Sequence, residues 1–561
     1  MKEIEKNWDS IIIGSGAGGL AAAICLSRAG QKVLVLEKHD VPGGWCHSFY
    51  LNGHRFTPGV HYVGLLGEGE STSDLYKGLG IANELVFFRM NKDAYEHCWI
   101  GNERFDYPSN LDELSTRLSA KFPKEKKNIE KYLTLIKNVS TQIYSLPYIK
   151  GFWQKLTIPY RTRHMGKYGL FSLKRVIDWH IKDPLLKNIL NIQCGDHGLQ
   201  PNKAPFPLHC ALMSHYFNGS YYPMGGGGAL IKAKTNVIKK YNGTVCTSTP
   251  VKKILLSGES KKTAVGVELE NGQQFFAKNI ISNADPGITY LDLIGKESIS
   301  NKLFKKLNKT KYSCTSLMLF LTVNLDLKKA GLDSGNIWLM PGKDADECYD
   351  DLMKVNLLEG DAFEGMFISC TTLKDPSSYD GKNHSLEVIT FINYDSFKPF
   401  ENEKEKRSKA YLDFKDKLTD KMLNGLEKVI PSIRQHIVHQ DLGTPITNEY
   451  YVNSTRGSVY GTEKSFKNIG PFAYKAKSEI NNLYLCGASI LSHGVAGAAH
   501  SGVDTASIIL KCEADELRTP LPDQELRIYD AEDAKEYPDW LTKKIKVRKS
   551  KAILKEEKIN S

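Results

Sequence analysis

Three glycines and one carboxylate near the N-terminus have the spacing of a binding site. Residues 14–19 read Gly-Ser-Gly-Ala-Gly-Gly, with Gly14, Gly16 and Gly19 in the GxGxxG pattern. Such glycines permit a tight turn, let a pyrophosphate approach the backbone, and let helix and strand pack closely. Glu37 follows at the distance where an acid meets a ribose diol. A GxGxxG run is informative only between an incoming strand and an outgoing helix. Both are predicted here: residues 11–13 are Ile-Ile-Ile, residues 21–29 are mostly small and apolar, Gly30 is placed to cap the helix, and residues 32–36 read as a second buried strand ending at Glu37. The unit is a dinucleotide socket with phosphates over the free N–H groups of a helix N-terminus. Cys194, His197, His209 and Cys210 are the metal-ligand types that lie close in sequence. Their CxxH and His-Cys pairs match no common structural-zinc spacing, so no metal is expected.

At 561 residues the chain exceeds what one hydrophobic core supports, and two or more domains are expected. With 41% apolar and 25% charged residues, wholesale disorder is excluded. The polar start MKEIEKNWDS does not resemble a secretory signal, and apolar runs such as residues 316–324 are too short to span a bilayer. The eleven cysteines show no CxxC pair. A disulfide scaffold is therefore not expected, and a reducing cytoplasm fits best.

The net charge of +11 matters less than its distribution. Residues 131–177 contain no acid, but hold Lys131, Lys137, Lys150, Lys155, Arg161, Arg163, Lys167, Lys174 and Arg175. Tyr144, Tyr148, Phe152, Trp153, Tyr160, Tyr168, Leu170 and Phe171 are interleaved with them. This mixture suits peripheral contact with anionic lipid headgroups; a solvated helical face beside core aromatics is the alternative. No nucleic-acid-binding motif accompanies the charge, so no nucleic-acid partner is expected. The lysine-rich residues 541–561 are read as a helix or frayed end that adds to the same attraction.

Glycine-rich turns recur downstream. Residues 221–228 read YYPMGGGG ahead of a helical pattern, and Asn271-Gly272 joins two strand patterns as a hairpin. Residues 482–502, NLYLCGASILSHGVAGAAHSG, read as strand, Gly487 turn and helix. The Gly225 to Gly228 run is no second dinucleotide fingerprint, because no apolar strand leads into it and no ribose acid follows.

The sequel to Glu37, Pro42-Gly43-Gly44-Trp45-Cys46-His47-Ser48, resembles the FAD-dependent amine oxidase and carotenoid desaturase group, and so points to FAD. Residues 43–64 (GGWCHSFYLNGHRFTPGVHYVG), 195–228 (GDHGLQPNKAPFPLHCALMSHYFNGSYYPMGGGG), 281–286 (ISNADP) and 456–463 (RGSVYGTE) resemble the retinol saturase (retinol 13,14-reductase-like) branch of the phytoene desaturase and carotenoid isomerase family. The likeness runs from about residue 9 to 510. It departs from the pattern at Gly487-Ala488, where Gly-Gln is usual, and at His493. Residues 296–440 and the C-terminal tail carry no motif of the family.

The resemblance implies an α/β fold: a discontinuous Rossmann-like FAD-binding domain, amine oxidase and glutathione reductase-like, with a mixed α+β substrate domain. The expected division is residues 1–75, 220–295 and 441–512 for FAD, residues 76–219 and 296–440 for substrate and membrane contact, and 513–561 as a charged tail. It implies cofactor contacts from Gly14, Ser15, Gly16, Ala17, Gly18 and Gly19, from Glu37, Lys38, Gly43, Gly44 and Ser48, and from Val251, Gly487, Gly494, Val495 and Ala496. The GGGG turn is expected over the flavin. The implied activity is FAD-dependent redox chemistry on the double bonds of a hydrophobic polyene, foremost saturation. Desaturation and redox-neutral cis-trans isomerisation are the enzymatic alternatives, and a flavin-containing lipid carrier the non-enzymatic one. Saturation needs an outside electron donor and desaturation an outside acceptor, with NAD(P)H and a quinone the respective candidates, and the chain shows no NAD(P)H domain. Saturation also needs a proton donor. Candidates are His61, Tyr62, His215 and Tyr222, with His209, Tyr216, Tyr221 and Tyr460 behind them. Oligomeric state is left open.

Overall fold

The computed structural model describes residues 5–146, 156–259, 262–404 and 406–557. Five parallel strands form the centre of one seven-stranded sheet, drawn from three distant parts of the chain. Asn7–Ile13 pairs on one side with Val33–Leu36, which in turn pairs with Thr244–Cys246. On its other side it pairs with Gln274–Ser282, whose last residues pair with Leu483–Leu485. Val251–Ser257 and Thr263–Leu269 extend the sheet antiparallel, with Gly272 at φ +83° in the hairpin turn. The central strands are apolar where both faces are covered, at Ile11 to Ile13, Val33 to Leu36 and Ile280 to Ile281. Ile12, Val33, Val35 and Ile281 face the helices Ala17–Arg28, Gly227–Lys240 and Gly494–Leu510, while Ile11, Ile13, Leu34, Leu36 and Ile280 pack into a core on the opposite face. Ligands of such sheets bind outside the carboxyl ends of the strands, which here end at Ile13, Leu36, Ser282 and Leu485.

A second seven-stranded sheet runs in the order Ile437–Gly443, Thr315–Val323, His384–Ile392, Met366–Cys370, Asn336–Met340, Glu96–Ile100 and Glu103–Tyr107. The apolar run at residues 316–324 is its central strand, and every residue of Thr315–Val323 is buried. Alternation sorts the side chains: Leu317, Leu319 and Leu321 join the core that includes the helix Lys409–Leu426, whereas Met318 and Phe320 face a layer of helices on the other side. That layer contains Lys126–Ser145, Leu173–His180, Pro184–Asn191 and Phe206–Ser214. Ser172 accepts from the Arg175 N–H and Asp183 from the Leu186 N–H, so two of these helices begin at side-chain caps. No helix among the described residues is long and apolar enough to cross a membrane.

Residues 513–557, read from the sequence as a charged tail ending in a helix or frayed end, pack onto the rest of the protein and end in a helix. Arg527–Asp530 lies parallel to Val86–Arg89, which pairs on its other side with Tyr221–Pro223. Ala514–Arg518 packs against Ser71–Gly78, where a Cβ on Gly78 would lie 2.4 Å from the Arg518 carbonyl oxygen. The helix Asp539–Glu557 follows, with Leu541 fully buried beside Phe88. A few apolar side chains among many lysines are enough to dock the segment.

Candidate cofactor and substrate site

A cavity of about 660 Å³ opens at the carboxyl ends of the first sheet and continues under the second. Its first half is backbone. Gly14 to Gly18, Glu37, Lys38, Gly43 and Gly44 line it, together with Val251, Gly487, Gly494, Val495 and Ala496. Glu37 is fixed by the turn it serves: its Oε2 accepts from the Ser15 N–H (2.9 Å) and Oγ (2.5 Å), and its Oε1 from the His39 N–H (2.9 Å). A carboxylate has lone pairs left for a diol after these three bonds. Asn283, from the Ser-Asn-Ala-Asp-Pro run, ties the segments together. Its Oδ1 accepts from the Gly19 N–H at 2.9 Å, and its own N–H donates to the Ile13 carbonyl.

The cradle is closed to side chains. A Cβ on Gly18 would lie 2.8 Å from both the Gly487 nitrogen and the Ala498 carbonyl oxygen, and Gly43 sits at φ +130°, where only glycine is unstrained. The helices Ala17–Arg28 and Gly494–Leu510 both direct their N-termini at the cavity, and neither N-cap residue, Gly16 or His493, makes a side-chain cap. Two helix N-termini, with their unsatisfied N–H groups, favour an anionic ligand. This donor set fits a dinucleotide: N–H groups for phosphates and a carboxylate for ribose.

Three residues placed at the ligand by the sequence stand behind it. Gly19 packs against the Gly14 carbonyl, and its Cβ would lie 2.3 Å from that oxygen. Ser48 accepts the Gly228 N–H at 2.9 Å and meets the Thr57 hydroxyl at 3.0 Å, so it joins two backbone segments. Tyr222 is fully buried in the short strand Tyr221–Pro223, under Lys374, and does not line the cavity. The GGGG turn is likewise off the cavity: a Cβ on Gly227 would lie 2.3 Å from the Cys46 carbonyl oxygen, so the turn packs beneath residues 46–48 and not over the ligand. Its glycines answer to that close backbone contact.

The second half of the cavity is aromatic and apolar, with His61, Tyr62, Leu212, His215, Tyr216, Met318, Trp338, Phe367 and Tyr460 among its walls. His215 is half-buried and its pKa falls to about 4 through loss of hydration, so it is neutral at pH 7 and has no proton to spare as an imidazolium. His61 turns its Nδ1 toward Glu387 Oε2 at 3.1 Å. Its carbonyl accepts from the buried Lys374 ammonium, which also donates to Ser369 and Asn336; burial lowers the Lys374 pKa to about 7.

Tyr62 is the centre of a buried acid cluster that sequence reading did not find. Its ring stacks on Tyr216 with centroids 4.5 Å apart, and its hydroxyl lies 2.7 Å from Glu96 Oε1 and 2.5 Å from Asp196 Oδ2. One hydroxyl carries one proton, so two carboxyl groups on the same phenol require that one of them be protonated. Glu96 also accepts from Trp338 Nε1 at 3.1 Å and Gln193 Nε2 at 3.0 Å, which support its anion. Asp196 has Tyr62 and the negative field of Glu96; burial first, and that field second, raise its pKa well above the carboxylate range. Burial raises the Glu96 pKa too, but the hydrogen bonds from Tyr62, Trp338 and Gln193 oppose that rise, whereas Asp196 has Tyr62 alone; we therefore assign the proton to Asp196, which donates to Tyr62, which donates to Glu96. Burial and the two carboxyl neighbours also raise the Tyr62 pKa far above 10. Asp196 itself lines the cavity. The sequence held a weak signal for both acids: each is the one acid in its stretch, Glu96 in YEHCWI and Asp196 in IQCGDHG.

The structure also gathers Cys194, His197 and His209, with one ligand atom of each within 4.8 Å of the others, although their spacing in sequence suggested no metal.

Comparison with known proteins points to a flavin cofactor. The family model described as flavin containing amine oxidoreductase matches residues 17–510. An all-trans-retinol 13,14-reductase of Danio rerio is 29% identical over 530 residues, covering 90% of this chain and 86% of the relative. A chloroplastic prolycopene isomerase of Daucus carota is 28% identical over 548 residues, covering 93% and 83%. Among solved structures, a putrescine oxidase superposes with a TM-score of 0.59 at 14% identity, covering 90% of this chain and 99% of that one; at that identity the likeness is one of fold.

Proposed function

Because this chain belongs to the flavin containing amine oxidoreductase family and is an FAD-dependent oxidoreductase, we propose that it acts on a carbon–carbon double bond of a hydrophobic polyene, in the direction of saturation. The observation that carries this reading is the single cavity in which the glycine cradle continues into an aromatic chamber bearing the Tyr62 cluster. Gly14 to Gly18 and Glu37 would hold the ADP half of FAD, and Gly487 with Gly494 to Ala496 the flavin end. FAD supplies the hydride chemistry. The protein supplies position, dryness and a proton.

The chamber excludes water because its walls are aromatic and aliphatic, which suits an extended apolar substrate. Saturation places a hydride on one carbon and a proton on its neighbour. Asp196 and Tyr62 store that proton on the wall, and the Glu96 anion stabilises the arrangement by accepting from Tyr62. The retinol reductase and prolycopene isomerase relatives name polyene substrates of this kind, and the isomerase favours redox-neutral isomerisation as the second reading.

We further propose that the substrate arrives from a lipid surface. Leu156, Tyr160, Leu170 and Trp179 are exposed at 59%, 72%, 84% and 51%, an unusual density of large apolar side chains on one face. Arg163 lies over Tyr160, and Arg175 over Phe171 and Trp179. Tyr148, Lys150, Phe152, Trp153 and Lys155 lie outside the described residues. The patch adjoins the helix layer whose member Phe206–Ser214 supplies Leu208, Ala211 and Leu212 to the cavity.

Anaerobic incubation of the reduced flavoprotein with polyene-loaded liposomes in D₂O tests the chemistry. A product heavier by two deuterons, since the N5–H of reduced flavin exchanges with solvent, supports saturation, and a product that has gained no hydrogen pair but shows altered retention identifies the isomerase. No product from a fully flavinated sample with retinoid or carotenoid would sink the polyene reading. Tyr62→Phe should lower turnover by roughly 10²-fold or more at unchanged flavin content. For the lipid contact, Arg161→Glu with Arg163→Glu should reduce co-flotation with anionic vesicles; unaltered flotation removes it.

A further inference from the structure

We infer that Cys194, His197 and His209 form a binding site for a thiophilic d¹⁰ metal ion, Cu(I) or Zn(II). Two short elements bring them together. Cys194 and His197 occupy the 3₁₀ helix Ile192–His197, where three residues make one turn and positions i and i+3 fall on the same side. His209 comes from the facing helix Phe206–Ser214. One ligand atom of each residue lies within 4.8 Å of the other two, and among the described residues this is the one cluster of three or more such side chains. All three residues are fully buried at 0% exposure, and Cys194 is a free thiol.

The independent sign of a ligand is the state of the imidazoles. Neither nitrogen of His197 and neither nitrogen of His209 has a hydrogen-bond partner of good geometry, although the Leu190 carbonyl adjoins the His209 ring. Buried polar atoms are normally satisfied, and four orphaned ring nitrogens on two adjacent side chains call for an explanation. A metal ion between the rings takes one nitrogen from each. Leu190 then stands where the outward N–H of a ligating histidine finds a carbonyl. The rings are already disposed as separate ligands of one centre, with centroids 5.8 Å apart and planes at 86°. Bond lengths of about 2.0–2.3 Å bring ligand atoms to roughly 3.3–3.7 Å of one another, so small side-chain rotations close the site.

The donor set chooses the ion. One sulfur and two imidazole nitrogens are soft-to-borderline ligands, poor for Mg²⁺ or Ca²⁺ and good for copper and zinc. Binding converts the thiol to a thiolate and releases one proton. With one thiolate and two neutral rings, Cu(I) gives a centre of no net charge and needs no fourth ligand, which suits a buried position. Zn(II) leaves a charge of +1 and a fourth position for water. Cys194, His197 and His209 are not on the cavity wall, whereas Asp196, between them in sequence, is. The ion is thus a clip behind the wall that fixes the turn carrying Asp196, and it takes no electrons from the substrate.

The test uses the full flavin-loaded chain, purified without chelators or immobilised metal. Elemental analysis should give close to one copper or zinc per chain, retained on dialysis, with the identity deciding between the two ions. Anaerobic titration of metal-free protein with Co(II) should produce a near-ultraviolet thiolate-to-cobalt band. Cys194→Ser should abolish that band, and His209→Gln should weaken Zn(II) or Cu(I) binding by roughly a hundredfold or more. The inference is overturned if reduced wild-type protein takes up less than about a tenth of an ion per chain from Zn(II) and Cu(I) and shows no cobalt band, or if Cys194→Ser binds as much metal as wild type. Should the variant fail to fold, the wild-type spectrum decides: absence of sulfur ligation to the bound ion by X-ray absorption refutes the site.

Discussion

His97 makes a stability prediction whose sign and size follow from three contacts. It lies next to Glu96 on the strand Glu96–Ile100, with Nδ1 2.7 Å from Asp106 Oδ1 and Nε2 2.9 Å from Asp333 Oδ1. Burial disfavours the imidazolium, but the hydrogen bonds and charges of the two carboxylates outweigh it and raise the pKa from 6.5 to about 9. A group whose folded pKa is raised contributes stability that is fully present below its unfolded value, here pH 6.5, and is lost as the pH rises through 9. Two and a half pKa units correspond to about 3 kcal/mol. Asp106 is 37% exposed, and the Arg104 guanidinium lies 2.8 Å from the same His97 nitrogen, so screening and repulsion reduce the figure to about 2 kcal/mol. His97→Gln should therefore lower the melting temperature at pH 6 by roughly 2 °C if the chain unfolds as a unit, and more if the second sheet melts separately. The gap should close toward pH 10. Differential scanning fluorimetry of both proteins from pH 5 to 10 measures it. A gap that is constant, or that widens with pH, would refute the assignment of a charged His97 clamp.

Two further substitutions probe the frame of the site. At Gly502 a Cβ would lie 2.0 Å from the Gly18 carbonyl oxygen, so Gly502→Ala must separate two helices that line the cradle; flavin content on purification should fall at least tenfold while an unchanged absorbance ratio at 450 and 280 nm would show the helix contact is dispensable. Arg55 and Asp375 form a buried pair at 2.7 Å, 12% and 0% exposed, and Asp375 also accepts the Gly225 N–H at 2.9 Å. Arg55→Met should cost about 3 kcal/mol by leaving that carboxylate uncompensated, read as a lower urea midpoint, with partial recovery on adding Asp375→Asn; no recovery would mean packing, not charge, sets the loss.

The candidate cofactor-binding residues were legible because their constraints are local. A glycine that must turn at positive φ, a helix that must begin under a phosphate and an acid at the end of the next strand all lie within residues 11–37. The acid cluster was not legible. Tyr62, Glu96 and Asp196 are ordinary residues in three separate segments, and only the packing of the strand Glu96–Ile100 beneath the turn at residues 192–197 puts two carboxyl groups on one phenol. Tyr222 and the GGGG turn were misplaced for the converse reason: an aromatic or a glycine in a matched segment serves a backbone contact as readily as a ligand, and the side that faces the cavity depends on the layer beneath.

The sequence by itself pointed to a dinucleotide and to a glycine turn and an acid as its candidate holders, since strand period, helix period and glycine stereochemistry operate over a few residues. The tertiary structure alone decided that two carboxyl groups meet one phenol and which cysteine and histidines meet. Those properties depend on burial and on distances of a few ångströms between residues far apart in sequence, and no periodicity along the chain encodes either one.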